Sequence, residues 1–152
     1  MRKKDLEIKD KSIIESILNK ADVCRIAVSE NDIPYIIPVN FGYKDDCLYI
    51  HCAPEGKKIE ILKKNNHICF EVDIDHEFIE SDRPCHFSMK YRSVIGFGEA
   101  FIIESSEEKK EALDIIVGHY TGGSHEYPED IVKYVTVIRV DIDNMTGKQS
   151  GY

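Results

Sequence analysis

Several features of secreted, membrane-spanning and nucleic-acid-binding proteins are missing from this sequence of 152 residues. It has no tryptophan, and its longest uninterrupted apolar stretches are only a handful of residues, whereas about 20 are needed to span a bilayer. No apolar segment follows the charged positions 2–5, so no secretory signal is predicted. The formal net charge of −8 does not supply the positive field that nucleic acid or an anionic membrane requires. We expect neither as a partner.

Cysteine is present, but in no pattern typical of a disulfide framework or a zinc site. The five cysteines are odd in number and include no Cys-x-x-Cys pair, and zinc sites usually show closely spaced cysteine or histidine ligands. Cys85 and His86, taken together with His51 and Cys52, do not have the spacing of a metal site. We therefore predict free thiols in the reducing cytoplasm and no bound metal.

No repeat, low-complexity tract or flexible linker divides the chain, so residues 1–152 are predicted to form a single domain. Apolar residues recur with period two in six segments and with the helical period in three. The mostly consecutive strands indicate a mainly β fold, a small antiparallel barrel with flanking helices. The predicted strands are residues 24–29, 33–43, 47–53, 67–75, 90–103 and 134–143, the helices 10–21, 57–65 and 105–120, and the loops 76–87 and 121–130.

The predicted strand at residues 33–43 contains Pro34 and Pro38, which is unusual for a strand. Two prolines remove two amide donors, so the segment is expected at an edge, at a bulge or where the ladder opens. Ile36 and Ile37 are adjacent and apolar, so both faces are expected to be covered. The segment is either an ordinary edge strand or a place where exposed backbone groups pair with a flat polar heterocycle.

Lysines cluster in one short segment of this acidic protein. Lys57, Lys58, Lys63 and Lys64 follow Gly56, whereas residues 71–82 hold six acids and no base. Basic residues at the start of a helix after a glycine could bind phosphate. The alternative is a solvated helix face. The spacing of a P-loop is absent.

Histidines provide further candidates. His51 lies on the predicted strand 47–53 and is either a packed residue or a catalytic one. His119 and His125 flank two glycines in a segment that is either a solvated loop or a lid.

Three blocks of sequence, in this order and spacing, resemble one known family. They are residues 35–43 followed by 48–53 and 56–58, residues 65–72, and residues 91–98. Together they are similar to the nitroimidazole-reductase (Nim-like) branch of the pyridoxamine 5′-phosphate oxidase-like FMN-binding split-barrel proteins, over residues 23–148. The sequence lacks the Arg-x-x-Leu-Leu-Lys strand and the arginine-rich C-terminal end of the oxidase branch, so oxidation of pyridoxamine phosphate is not implied.

The resemblance implies a six-stranded split β-barrel homodimer that binds FMN near the subunit interface. In that arrangement Pro38, Val39 and Asn40 would line the isoalloxazine ring with their backbone. His51 and Ala53 would lie beside the flavin.

The resemblance also implies that Lys57 and Lys58 contact the phosphate and that Ser93 hydrogen-bonds the cofactor. A nicotinamide or another donor would reduce the flavin, which would then reduce a small electron-poor substrate such as a nitro-aromatic. Either His51 or Tyr91 could deliver a proton. Two alternatives remain: a flavin-binding carrier, sensor or electron reservoir without turnover, and a barrel for another ligand, including haem held by His51 or His119.

Overall fold

A computed structural model describes residues 4–123 and 125–152 of the chain. These residues form eight β-strands, four α-helices and two 3-10 helices. The strands are β1 (Glu7–Ile8), β2 (Cys24–Glu30), β3 (Ile33–Val39), β4 (Phe41–Lys44), β5 (Cys47–Cys52), β6 (His67–Ile79), β7 (Ser88–Ile103) and β8 (Thr136–Ser150). The α-helices are α1 (Lys11–Lys20), α2 (Lys57–Leu62), α3 (Ser106–Thr121) and α4 (Glu129–Tyr134), and the 3-10 helices are Lys4–Leu6 and Pro84–His86.

The strands form one antiparallel sheet whose two edges are consecutive pieces of the chain. The order is β3-β2-β6-β7-β8-β5-β4, and the short β1 pairs with β8. β3 ends at Val39 and β4 begins at Phe41, so only Asn40 separates the two edge strands. The sheet therefore curls until its edges meet at Asn40 and part from there, which makes it a split barrel.

The pairing registers show how steeply the strands run around this barrel. Followed from Asn40 through β2 and β6, the pairing leads to Ser93 on β7. Followed from His51 on β5 through β8, it leads to Ile103 on the same strand. These two positions are ten residues apart, so the strands are strongly tilted. Because β3 and β4 act as one interrupted strand, the predicted six-stranded antiparallel barrel is confirmed, with the two-residue β1 added to it.

Two tight turns set the registers of the first hairpins. Asn31 and Asp32 join β2 to β3 with φ of 50° and 63°, and Asp45 and Asp46 join β4 to β5 with φ of 49° and 58°. Left-handed conformations at both central residues are typical of the two-residue hairpin turn that matches strand twist. Asn and Asp tolerate this conformation better than most residues.

The two prolines of β3 lie on its free edge. The tight turn closes at the Glu30–Ile33 pair, so residues 34, 36 and 38 point their backbone groups away from β2. Pro34 and Pro38 have no N–H at these positions. Along β3 this edge therefore presents three carbonyl oxygens and, as its single donor, the N–H of Ile36. The prediction of an edge strand is confirmed.

The main hydrophobic core fills the barrel, and a smaller core lies outside it. Phe70 is fully buried in the main core, to which α1 and α2 contribute Leu18 and Ile61. The second core is formed where Leu113 of α3 and Val132 of α4 pack on the outer face of β8. The predicted helices 10–21, 57–65 and 105–120 thus correspond to α1, α2 and α3.

Several predicted boundaries were wrong. The end of the predicted loop 121–130 begins α4, and the last strand runs over Thr136–Ser150 rather than residues 134–143. α4 is held by burial of Val132, whereas its N-cap, Pro128, makes no side-chain cap hydrogen bond. β6 extends to Ile79 and β7 begins at Ser88, so the predicted loop 76–87 is shorter. In the part of the chain that the structure describes, no helix is long and apolar enough to cross a bilayer.

Candidate functional site

The structure brings one group of the predicted site residues together where β3 gives way to β4. Phe41 pairs with Ile50, so the next residues outward on the two strands, Asn40 and His51, are neighbours. Pro38 and Val39 come just before Asn40 along the chain, and Ala53 comes just after β5. All of this group is exposed except Val39, which is half-buried. The predicted ring-binding residues therefore line one surface around the split.

The hydroxyl of Tyr120 on α3 bridges the split itself. The Phe41 N–H donates to the Tyr120 hydroxyl at 3.1 Å, and that hydroxyl donates to the Asp22 carbonyl at 2.9 Å. Continuing the β2–β3 register past the Cys24–Val39 pair would make Asp22 and Phe41 the next hydrogen-bonded pair. The Tyr120 hydroxyl thus forms hydrogen bonds with the Phe41 N–H and the Asp22 carbonyl, which would have bonded to each other if the strands had stayed paired.

A shallow cavity of about 430 Å³ lies beside His51 and was not predicted. The end of β5 forms one side of it with His51, Cys52 and Ala53, and α4 forms the other with Ile131 and Tyr134. Val135 also lines it. The α4 side of the cavity could not be predicted, because a six-residue helix shows too few helical turns to establish a period.

The predicted phosphate-binding lysines lie at the start of α2. The Nζ of Lys57 lies 4.5 Å from the centroid of the Tyr35 ring on β3, and Lys58 is half-buried. Within residues 4–123 and 125–152 neither lysine forms an ion pair, although others do: Lys11, Lys20, Lys64, Lys90 and Lys110 all lie within 4.0 Å of a carboxylate. The site therefore carries two adjacent positive charges that no carboxylate neutralises.

Two of the predicted site residues lie elsewhere in the same chain. Ser93 pairs with Asp73 and Lys148 on the outer face of the sheet. It is three interstrand spacings from Asn40, roughly 14 Å across the sheet. Tyr91 comes two residues before Ser93 on β7, and the Nζ of Lys148 lies 5.1 Å from the centroid of its ring. Of the two candidate proton donors, only His51 lines the cavity.

An ion-pair network lies on the outer face next to Pro38. Arg25 pairs across the ladder with Pro38, and its Nη1 lies 3.2 Å from Glu71 Oε2 and 2.6 Å from Asp73 Oδ1. The Nε2 of His76 lies 2.6 Å from the other carboxylate oxygen of Asp73. Burial and the neighbouring Asp73 raise the pKa of Glu71, and Arg25 opposes this. Arg25 thus has two carboxylate partners, whereas Lys57 and Lys58 have none among the described residues.

The structure makes some of the alternative readings less favourable. The Nε2 of His119 lies 2.8 Å from the Ala21 carbonyl, to which it can only donate, so this nitrogen is not free to bind haem iron. In the described ranges no group of three His, Cys, Asp or Glu side chains is placed to hold a metal. All five cysteines are free thiols, and burial raises the pKa of Cys24 to about 12.

Taken together, the residues around the split suit a flat heterocycle that carries a phosphate. The free edge of β3 provides carbonyl oxygens and a single N–H for a ring with both donors and acceptors. A Cβ added at Gly56 would meet no atom within 4 Å, so an anion could approach the backbone between β5 and the two lysines closely.

Solved structures with the same fold include flavoproteins. A candidate 5-nitroimidazole antibiotic resistance protein from Bacteroides thetaiotaomicron is 41% identical, with a TM-score of 0.86, and the match covers 95% of this chain and 86% of that one. The flavocytochrome Anf3 from Azotobacter vinelandii has a TM-score of 0.87 at 20% identity, covering 100% and 72%. An FAD and heme binding protein from Mycobacterium smegmatis has a TM-score of 0.87 at 18% identity, covering 96% and 74%.

The family assignment follows from a match over nearly the whole chain. No curated protein matches this sequence. Residues 10–149 match the family described as pyridoxamine 5′-phosphate oxidase, and the relative from B. thetaiotaomicron supports the Nim-like branch. The resemblance seen in the three sequence blocks is thereby confirmed, and the chain belongs to the flavin-binding split-barrel proteins of the pyridoxamine 5′-phosphate oxidase family.

Proposed function

We propose that this protein is an FMN-dependent oxidoreductase that reduces a small electron-poor substrate of the nitroimidazole or nitro-aromatic class. One observation carries the proposal: two adjacent lysines, which have no carboxylate partner among the described residues, lie close to a proline-interrupted sheet edge and the exposed His51. The relative described as a 5-nitroimidazole resistance protein indicates the substrate class. Electrons would come from a nicotinamide or another small donor in the cytoplasm.

Lys57 and Lys58 would bind the FMN phosphate. α2 is only six residues long, so the attraction comes from the two ammonium groups rather than from the helix. The contact of Lys57 with the Tyr35 ring restricts its side chain without neutralising its charge. A terminal phosphate monoester carries close to two negative charges at pH 7 and matches this pair, which favours FMN over FAD.

The edge from Pro38 to Asn40 would hold the ring. Its outward carbonyl oxygens can accept from ring N–H groups, and the N–H of Ile36 can donate. The bound flavin supplies the electron transfer itself, while the protein provides position and electrostatics. His51 lines the cavity beside Asn40, and we propose that it would hold a proton for the substrate.

We also propose that the protein is a homodimer in which a second copy completes the site. Ser93 is roughly 14 Å from Asn40 within one chain, so it would reach the cofactor from the other subunit. An apolar row beside it supports this arrangement: Ile36, Ala27, Cys69 and Phe97 pair in register across four strands on the outer face. Ile36, expected to be covered, is 63% exposed in the single chain.

The phosphate assignment predicts that Lys57→Ala/Lys58→Ala binds FMN at least tenfold more weakly than the wild type. Charge-assisted hydrogen bonds contribute about 1.5–3 kcal/mol each, and about 1.4 kcal/mol corresponds to tenfold. Fluorescence titration with FMN and with riboflavin, which lacks the phosphate, measures the effect. Riboflavin affinity should change less than about threefold.

The matched control is Lys44→Ala/Lys63→Ala, which removes the same charge from two exposed lysines that form no ion pair within the described part of the chain. It should retain FMN affinity within about threefold. Equal losses for FMN and riboflavin, or equal losses in both double variants, would contradict the phosphate assignment.

Reoxidation kinetics distinguish an oxidoreductase from a flavin carrier, sensor or electron reservoir. The protein is first reduced with a nicotinamide, and 1,2-dimethyl-5-nitroimidazole is then added without oxygen. An oxidoreductase reoxidises faster than free FMN at the same concentration, whereas a carrier does not.

A further inference from the structure

The cavity between β5 and α4 contains a wall that neither the sequence patterns nor the cofactor assignment explains. Tyr134 is 78% exposed and Ile131 is 57% exposed, although both are large and apolar. They lie on the same short helix as the fully buried Val132, which anchors it to the second core. The helix thus has one face fixed to the protein and presents an isoleucine and a tyrosine to the space beside His51.

Chain connectivity fixes this wall relative to His51. His51 pairs with Val137 and Cys52 pairs with Thr136, and α4 runs into β8 after a single intervening residue. Tyr134 therefore lies next to the end of β5, where Ala53 follows. Because β8 is a central strand of the barrel, the position of this wall does not depend on a mobile loop.

We infer that Ile131 and Tyr134 are specificity-determining residues that bind the ring of the substrate beside His51. This inference rests on the proposed function and concerns the same site. A cavity of about 430 Å³ is within the range of small-molecule sites, which are mostly apolar with few polar groups. An exposed tyrosine ring stacks on a flat, electron-poor ring more favourably than on an aliphatic group of equal area.

The charged residues of α4 do not line the cavity. Glu129 forms an ion pair with Lys110 of α3, on the side that packs against that helix. The cavity lining itself includes no carboxylate and no lysine, and His51 is its one basic side chain among the described residues. The wall therefore selects for an uncharged flat ring and presents it to the histidine.

The test compares Tyr134→Leu with Tyr134→Phe in the oxidised protein loaded with FMN. The probe is 1,2-dimethyl-5-nitroimidazole, whose binding is followed by the change in the visible flavin spectrum without any reductant. Tyr134→Leu should raise the dissociation constant about fivefold to tenfold because stacking is lost. Tyr134→Phe keeps the ring and should stay within about twofold, and FMN content should be the same in all three proteins.

The outcomes separate this inference from the proposed function. If the wild type holds FMN and Tyr134→Leu binds the probe as tightly as the wild type does, the role of α4 is overturned and the proposed function is not. A change from dimer to monomer in Tyr134→Leu, measured by sedimentation, also overturns it, because a second copy would then cover the wall. A wild type that binds no flavin overturns the proposed function and this inference with it.

Discussion

At the scale of single residues, Gly42 is the point where α3 rests directly on the backbone of the barrel. A Cβ added there would lie 2.6 Å from the Ile115 carbonyl oxygen of α3. This neighbour is backbone and cannot move aside as the end of a flexible side chain could. Close contact here brings the C-terminal turn of α3, with Tyr120, onto the split.

We therefore expect Gly42→Ala to destabilise the protein by about 1–3 kcal/mol, because α3 must shift to admit the methyl group. Urea unfolding followed by circular dichroism measures the change. Gly118→Ala is the matched control, because Gly118 lies within α3 and a Cβ added there would have its nearest neighbour at 3.9 Å. Alanine should be neutral or stabilising at that position. Similar destabilisation by both variants would mean that contact with α3 is not the cause.

Some of the site could be predicted at this scale and some could not. The prolines of β3 and the adjacent lysines follow from residue type, because each has a fixed chemical consequence wherever it lies. The contact of Lys57 with Tyr35 could not be predicted, since it joins positions 22 residues apart through the way α2 packs. That these lysines have no carboxylate partner in residues 4–123 and 125–152 likewise depends on the tertiary structure.

At the scale of elements, Tyr120 couples α3 to two parting strands. Its hydroxyl accepts from Phe41 and donates to Asp22, so a helix supplies the link that the ladder loses. The half-buried ring of the neighbouring His119 packs against the Phe41 ring, with centroids 4.6 Å apart, and this contact holds the same turn of α3. The junction at Asn40 is thereby held by α3 rather than by the sheet alone.

Tyr120→Phe should cost about 1 kcal/mol of unfolding free energy because two backbone groups lose a hydrogen-bonding partner. It should also speed hydrogen exchange of the Phe41 amide. The control is Tyr134→Phe, whose hydroxyl makes no hydrogen bond in the described structure, and its stability should stay within about 0.5 kcal/mol. Unchanged exchange at Phe41 in Tyr120→Phe would argue against the bridge.

The elements themselves were predictable to different degrees. β6 shows the alternation that a strand with one buried face requires. α1 follows its N-cap Asp10, whose side chain accepts from the Ser12 N–H, and Asp is a residue type favoured at this position. α4 was missed because its single buried residue gives no period. The strand interruption at Asn40 was missed because the apolar residues continue through it, and only the exchange of partners from β2 to β5 reveals it.

At the scale of the whole molecule, the steep tilt of the strands separates residues that the sequence blocks suggested were together. The family resemblance implies that Ser93 and His51 contact the same cofactor, yet within one chain they lie on different parts of the barrel surface. The offset of ten residues between the two routes around the barrel is a global property. No local pattern contains it, because it is the accumulated result of every strand register.

If the outer face joins two copies, Phe97→Glu should convert a dimer to a monomer with little change in far-ultraviolet circular dichroism. Phe97 is 50% exposed in the single chain, and like charges brought together at an interface cost several kcal/mol. We expect at least hundredfold weaker association by sedimentation. Ile13→Glu, at an exposed apolar position of α1, should remain a dimer. A Phe97→Glu protein that is still dimeric would place the interface elsewhere.

The prolines of β3 also affect how copies of this protein can meet. An open sheet edge normally accepts another strand, and repeated acceptance leads to fibres. Pro34 and Pro38 have no N–H to point outward. The edge therefore offers an incoming strand carbonyl acceptors but too few N–H donors for that strand's own carbonyl groups. The molecule can therefore keep one edge open to a small planar ligand while resisting growth by strand addition.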